Sequence, residues 1–197
     1  GKELFGGTGR NVVNPAVAGL AFLYLAYPET ASGDRIWIPV DGASGATPLA
    51  AAKQGVEALR ASGLGWADAF WGRKPGALGE TSAAACALGA LWLVYLRLAD
   101  WRILAGGVGG LVATSLAFQS FAADAPSMAQ LPWYWHLTLG SFAFGLVFLA
   151  TDPVTSAATP GGRIAYGLLI GFLVVVIRVA NPAHREMMDL EGLKAWL

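Results

Sequence analysis

The sequence predicts an all-α membrane protein, a polytopic helical bundle with broken helices, on three observations. Of 197 residues, 55% are hydrophobic and only 13% are charged, about half the roughly 25% charge of soluble domains. The apolar residues fall into runs of about 18 residues, the length that crosses a bilayer as a helix. The runs are interrupted by Asn-Pro steps and fed by glycine-rich turns, where a helix stops or restarts. Net charge is zero, so there is no electrostatic case for a nucleic-acid partner. The single cysteine, Cys86, excludes an intrachain disulfide and reads as packing within an apolar run.

Residues 1–28 form a glycine-rich entry loop and a first membrane helix, itself a candidate for being broken. Gly1–Gly7 has no signal-peptide core, and a start so close to a helix is what a piece of a longer chain would show. Val12–Pro28 is apolar apart from Asn14 and covers roughly 25 Å, marginal for a full span. Pro15 is well placed at a helix start. Residues 29–81 make the long extramembrane segment. Within it Asp41-Gly42-Ala43-Ser44-Gly45-Ala46-Thr47 is a tight, hydroxyl-bearing turn. Leu49–Leu64 is expected as a surface helix, and Trp66, Phe70 and Trp71 as a return to the interface.

Residues 82–183 hold four further spans, Ser82–Ala99, Ile103–Phe121, Trp133–Ala150 and Arg163–Ala180, the fourth of the five headed by the aromatic Trp133-Tyr134-Trp135. Residues 184–197 are a charged tail. Lys2, Arg10, Arg97, Arg102 and Arg163 place the N-terminus and two connections in the cytoplasm and residues 29–81 outside. Arg178 and Arg185 conflict with that tally. Arg10-Asn11-Val12-Val13-Asn14-Pro15-Ala16 is echoed by Arg178-Val179-Ala180-Asn181-Pro182-Ala183, the mark an inverted repeat with discontinuous helices would leave.

Nucleophilic, zinc and phosphate-loop chemistry lack their residue sets: the two histidines, His136 and His184, have no partners at recognisable spacing. Glu80 and Asp152 sit at the edges of apolar spans beside residues that expose backbone carbonyls. That is oxygen-rich chemistry suited to a hard cation such as sodium; the alternative for both is a helix cap. Asn11, Asn14 and Asn181 can bond a planar polar ligand, line a pore or cap broken helices. Asp100, between Arg97 and Arg102, reads as local charge balance.

Six ordered blocks then carry a resemblance. They are Phe5–Asn11 with Asn14-Pro15-Ala16, Asp41–Thr47, Gly79-Glu80-Thr81-Ser82, Pro132–Leu137, Ala150–Val154 and Ile177–Pro182. Together they resemble the B-type membrane subunit of sodium-translocating NADH:quinone oxidoreductases. The related D-type subunit of Rnf electron-transport complexes is the alternative, and a solute channel or transporter with inverted repeats is the rival from another class. The resemblance implies FMN bound covalently to Thr47 by a phosphoester, with Asp41, Ser44, Gly45 and Ala46 completing the motif read by a flavin transferase. It also implies noncovalent riboflavin, with Asn11 and Asn14 as candidates to line its site, ubiquinone as electron acceptor, and Glu80 and Asp152 on a sodium path. The expected setting is the bacterial inner membrane among other subunits, residues 29–81 being periplasmic, with no activity as an isolated chain. Family members extend further at the N-terminus and end in an apolar helix where this chain has His184–Leu197.

Overall fold

The computed structural model describes residues 2–3, 6–7, 9–27, 48–52, 59, 63–74, 81–121 and 128–180; these contain helices and turns and no strand. In chain order the helices are α1 (Pro15–Ala26), α2 (Pro48–Ala52), α3 (Trp66–Trp71), α4 (Ala83–Tyr95), α5 (Trp101–Phe121), α6 (Trp133–Thr138), α7 (Phe142–Phe144) and α8 (Pro160–Ala180). A 3₁₀ turn over Met128–Gln130 precedes α6, and α7 runs directly into a π-helical segment, Gly145–Leu149. The protein is therefore all-α, as its composition predicts.

Among the described residues two helices are long and apolar enough to cross a membrane, α5 and α8, with mean hydropathies of 1.4 and 1.9. They run parallel, because Gly106 of α5 lies against Ile164, Gly167 and Leu168, and Gly110, one turn on, lies against Leu168. Glycines make this approach possible. A Cβ on Gly106 would stand 3.2 Å from the Gly167 Cα, and one on Gly110 would stand 2.9 Å from the Leu168 Cα. Gly106-x-x-x-Gly110 and Gly167-x-x-x-Gly171 are thus small-residue seams that bring two backbones into contact. In lipid, where apolar surface gains nothing by moving from tails to protein, close packing of this kind drives helix association.

The remaining helices differ from the expected spans in informative ways. α1 has 12 residues and α4 has 13, about 18–20 Å each, shorter than the hydrocarbon core. The span expected over Trp133–Ala150 is not one helix. It stops at Thr138, turns through Gly140 at φ +69°, and resumes at Phe142. Hydropathy is continuous across this break, so an apolar-run reading cannot see it; the left-handed glycine makes the turn.

The segment expected as a surface helix over Leu49–Leu64 is, in its described parts, not peripheral. Ala52, Leu59 and Ala69 are fully buried in a cluster with Met128, Leu131, Trp135 and Leu139, and Leu49, Leu64 and Val179 pack against it. The aromatics on either side meet as well. Trp66 stacks on Phe70 at 5.3 Å, meets Tyr134 edge-on at 5.9 Å, and donates its indole N–H to the Tyr134 carbonyl. The two aromatic belts legible in the sequence are one assembled surface. Cys86 is buried, as expected of a packing residue.

Candidate functional site

The candidate site forms where α1 begins and the broken fourth segment ends. Asn14 is the N-cap of α1: its side-chain oxygen accepts from the backbone N–H groups of Ala16 (2.9 Å) and Val17 (3.4 Å), and Pro15 follows at the first helical position. The same amide donates from Nδ2 to the Leu149 carbonyl at 3.1 Å, a carbonyl at the end of the π segment. One side chain thus satisfies groups at two helix ends that lie 135 residues apart in sequence.

Two cavities lie on either side of Asn14. The first, about 550 Å³, is lined by Gly9, Asn11, Asn14, Phe148 and Asp152, with Leu93 among its apolar walls. The second, about 450 Å³, is more apolar and runs from Val13 and Val17 to Tyr166 and Ile170. Both fall within the volume range of small-molecule sites. The first combines an aromatic face and aliphatic walls with amide and carboxylate edges. Asn11, half-buried at its rim, makes no side-chain hydrogen bond among the described residues. This donor set suits a planar ligand with polar edges, and in that respect fits a flavin ring.

Asp152 is drawn into a local turn at the lip of that cavity. Its carboxylate accepts from the Val154 N–H (3.3 Å) and the Thr155 hydroxyl (2.8 Å), while its carbonyl accepts from Ser156 N–H. Among the described residues no group of three or more His, Cys, Asp or Glu comes together. Asp41, Ser44, Gly45, Ala46, Thr47 and Glu80 lie outside the described residues. Of the residues singled out from sequence, the fold therefore brings together Asn11, Asn14 and Asp152.

Three basic residues have roles that pattern reading missed. Lys74 is buried and donates from Nζ to the Thr138 carbonyl at 2.5 Å. Arg178 donates to the carbonyls of His136 (2.6 Å) and Leu139 (2.8 Å). Both cations sit at the carbonyl end of α6, where free C=O groups and the helix dipole favour positive charge. Arg178 is hence bonded within the bundle and does not belong in a tally of loop charges, whereas Arg185, the other residue in that conflict, lies outside the described residues. The signal was present: an arginine inside an apolar run demands backbone or acidic partners. His136 is buried beside this cluster with Nδ1 unpartnered among the described residues. The third is Arg163, which pairs with Asp100 across the adjacent N-termini of α5 and α8; Asp100 also pairs with Arg102, at 3.4 Å. Charge balance at Asp100 thus involves a partner 63 residues away.

Comparison with known proteins gives a consistent picture. The model of the NQR2, RnfD, RnfE family matches residues 1–188. The B-type subunit of the Na(+)-translocating NADH-quinone reductase of Azotobacter vinelandii is 50% identical over 191 residues, covering 96% of this chain and 47% of that protein. The protein of the same name from Klebsiella pneumoniae is 50% identical over 199 residues, covering 98% and 48%. That of Pseudomonas paraeruginosa is 49% identical over 196 residues, covering 99% and 49%. The chain spans about half the length of the curated relatives it matches.

Proposed function

The chain belongs to the NQR2, RnfD, RnfE family, and from that premise we propose that it is the flavin-carrying part of a membrane subunit in a sodium-translocating NADH:quinone oxidoreductase. The observation that carries the reading is the turn Asp41–Thr47, a match to the Asp-x-x-Ser-Gly-Ala-Thr attachment motif, in a chain about 50% identical to relatives named as the B-type subunit of that complex. Those names favour this assignment over a homologue of the D-type Rnf subunit.

Thr47 is the tether. Its hydroxyl oxygen attacks the FMN phosphorus of a pyrophosphate held by a flavin transferase that reads Asp41, Ser44, Gly45 and Ala46. The phosphoester forms as the P–O–P bond breaks, and the other phosphate leaves while the transferase takes up the hydroxyl proton. The glycines on either side of Ser44 leave the hydroxyl approachable. A flavin, when bound, supplies one- and two-electron transfer; the chain supplies position, exclusion of water and charge. The cavity at Asn11, Phe148 and Asp152 is the candidate seat for a second, noncovalent riboflavin: Phe148 offers a face to stack on and Asn11 a free amide for the ring edge. Asn14 acts beneath it, fixing the two helix ends that form the wall. Electrons pass through the subunit to ubiquinone, coupled to sodium movement past Glu80 and Asp152, with residues 29–81 periplasmic and the chain in the bacterial inner membrane beside its partner subunits.

The test is direct. The protein produced with an active flavin transferase, denatured and run on a gel, should fluoresce under ultraviolet light, and Thr47→Ala should be dark. A dark wild-type band of correct mass, with a second substrate of the transferase labelled in the same cells, overturns the reading.

A further inference from the structure

We propose that the joint start of α5 and α8 is a binding site for the phosphodiester of an anionic phospholipid. The cavity there, about 640 Å³, adjoins the one at Asn11 across Leu98, Ala99, Thr151 and Pro153 and is lined by Arg97, Arg102 and Arg163, with Asp100, Trp101 and Ser156. Three guanidiniums face one carboxylate. Asp100 engages Arg102 and Arg163, and Arg163 also donates from Nε to the Ala157 carbonyl at 3.0 Å. The Arg97 guanidinium has no ion pair among the described residues and is exposed. Two parallel helices of 21 residues each begin at this cavity, so their positive dipole ends add to the surplus of positive charge.

Backbone geometry singles out Arg97. It takes the left-handed conformation, φ 58°, at the end of α4, the place where helices normally use glycine. A guanidinium is kept where the chain would be more relaxed without a side chain.

The surroundings decide which phosphate fits. Trp92, Tyr95 and Trp101 are exposed around the same turn, 63%, 78% and 56% respectively. Arg102 lies over the Trp101 ring at 5.3 Å. Exposed aromatics beside arginines at the end of membrane helices are at home at headgroup level. Basic pockets between helices at a membrane face bind anionic headgroups, at about 1 kcal/mol per Lys or Arg near the surface. A lipid would place its phosphate among the arginines and its glycerol and chains along the aromatics; free phosphate would use only the first.

The intact protein in mild non-ionic detergent can be titrated with phosphatidylglycerol, phosphatidylcholine or inorganic phosphate, and bound molecules counted by native mass spectrometry. Phosphatidylglycerol should be retained about tenfold better than phosphatidylcholine and survive millimolar phosphate. Arg97→Gly and Arg102→Gln should each lower its affinity by about fivefold, and Asp100→Asn should raise it by removing the competing carboxylate. Arg97→Gly relieves the left-handed strain, so its melting temperature should match or exceed wild type while lipid binding falls. A lower melting temperature alongside lost binding counts against the proposal. So does equal uptake of the two lipids, displacement by inorganic phosphate, or wild-type affinity in both arginine variants.

Discussion

Arg178 of α8 closes the open end of α6, its Nη2 donating to the Leu139 carbonyl at 2.8 Å and its Nη1 to the His136 carbonyl at 2.6 Å. The other end of the broken segment is held in the same manner, by Asn14 on the Leu149 carbonyl. Arg178 and Asn14 each belong to one of the two Asn-Pro-Ala echoes, so one residue of each echo braces the discontinuous segment lying between them. Non-helical backbone at membrane depth persists only where its polar groups find partners inside the protein, and these two side chains provide them.

Removing Arg178 should be costly out of proportion to one side chain. Arg178→Ala leaves two carbonyls without their charged donor, at about 1.5–3 kcal/mol each. Gly140 depends on the same arginine: a Cβ there would meet Nη2 at 2.9 Å and impose a side chain on φ +69°. Arg178→Ala and Gly140→Ala should both lower the thermal midpoint in detergent. The double variant should lose less than the sum, because deleting the arginine removes the clash with Nη2 and leaves the backbone strain and a 3.2 Å approach to Leu49 Cδ2. Fully additive losses would mean the two residues act separately.

The helical class, the aromatic belts and the Asn-Pro helix start were legible in the sequence because hydropathy, ring chemistry and proline geometry are local properties. The break at Gly140 was not, because glycine is common in membrane helices and its φ is set by tertiary partners. Nor was the Arg163–Asp100 pair, since Arg97 and Arg102 lie nearer in sequence and the partner comes from a helix start 63 residues away. Asn14 shows the limit at the candidate site: its residue type allowed capping or ligand contact, and only the position of Leu149 shows how its amide is used.

The α5–α8 seam makes a prediction with an internal control. Gly110→Ala drives a methyl into the Leu168 backbone and should cost about 1–3 kcal/mol through separation of the helices. Gly109 is one residue away, and its Cβ would meet only the Leu168 Cδ2 at an ordinary 3.8 Å. Gly109→Ala should be neutral, or stabilise by up to about 1 kcal/mol through helix propensity. Chemical denaturation of the two variants side by side reads the contrast; equal effects would contradict the close backbone approach.

Asn14 can be dissected by substitutions that keep one of its two functions. Asn14→Asp retains the acceptor for Ala16 and Val17 but loses the donor to Leu149, setting a carboxylate against a carbonyl. Asn14→Ala loses both, about 1 kcal/mol for the cap and about 1–3 kcal/mol for the carbonyl left behind. The Asp variant should recover stability as the pH is lowered, since the protonated carboxyl can again donate to Leu149, whereas the Ala variant should not. Parallel pH titrations of the melting temperature, each taken relative to wild type, separate capping from bridging.

Asp100 supplies the pH dependence expected of the wild-type protein. The Arg102 backbone N–H does most to hold its carboxyl below the usual carboxylate range; burial opposes it, and the Arg163 and then the Arg102 guanidinium add to the lowering. A group whose folded-state value is depressed stabilises the fold fully above its unfolded value, about 3.9, and loses that contribution as the pH falls through the lower folded value. Asp100→Asn abolishes the charge at every pH. Near neutrality it should cost about 1–2 kcal/mol, kept modest because solvent reaches its arginine partners. The difference between wild type and variant should then shrink progressively below about pH 4. A gap that stays constant from pH 7 to pH 3 would show that the Asp100–Arg163 pair does not join the starts of α5 and α8 in solution.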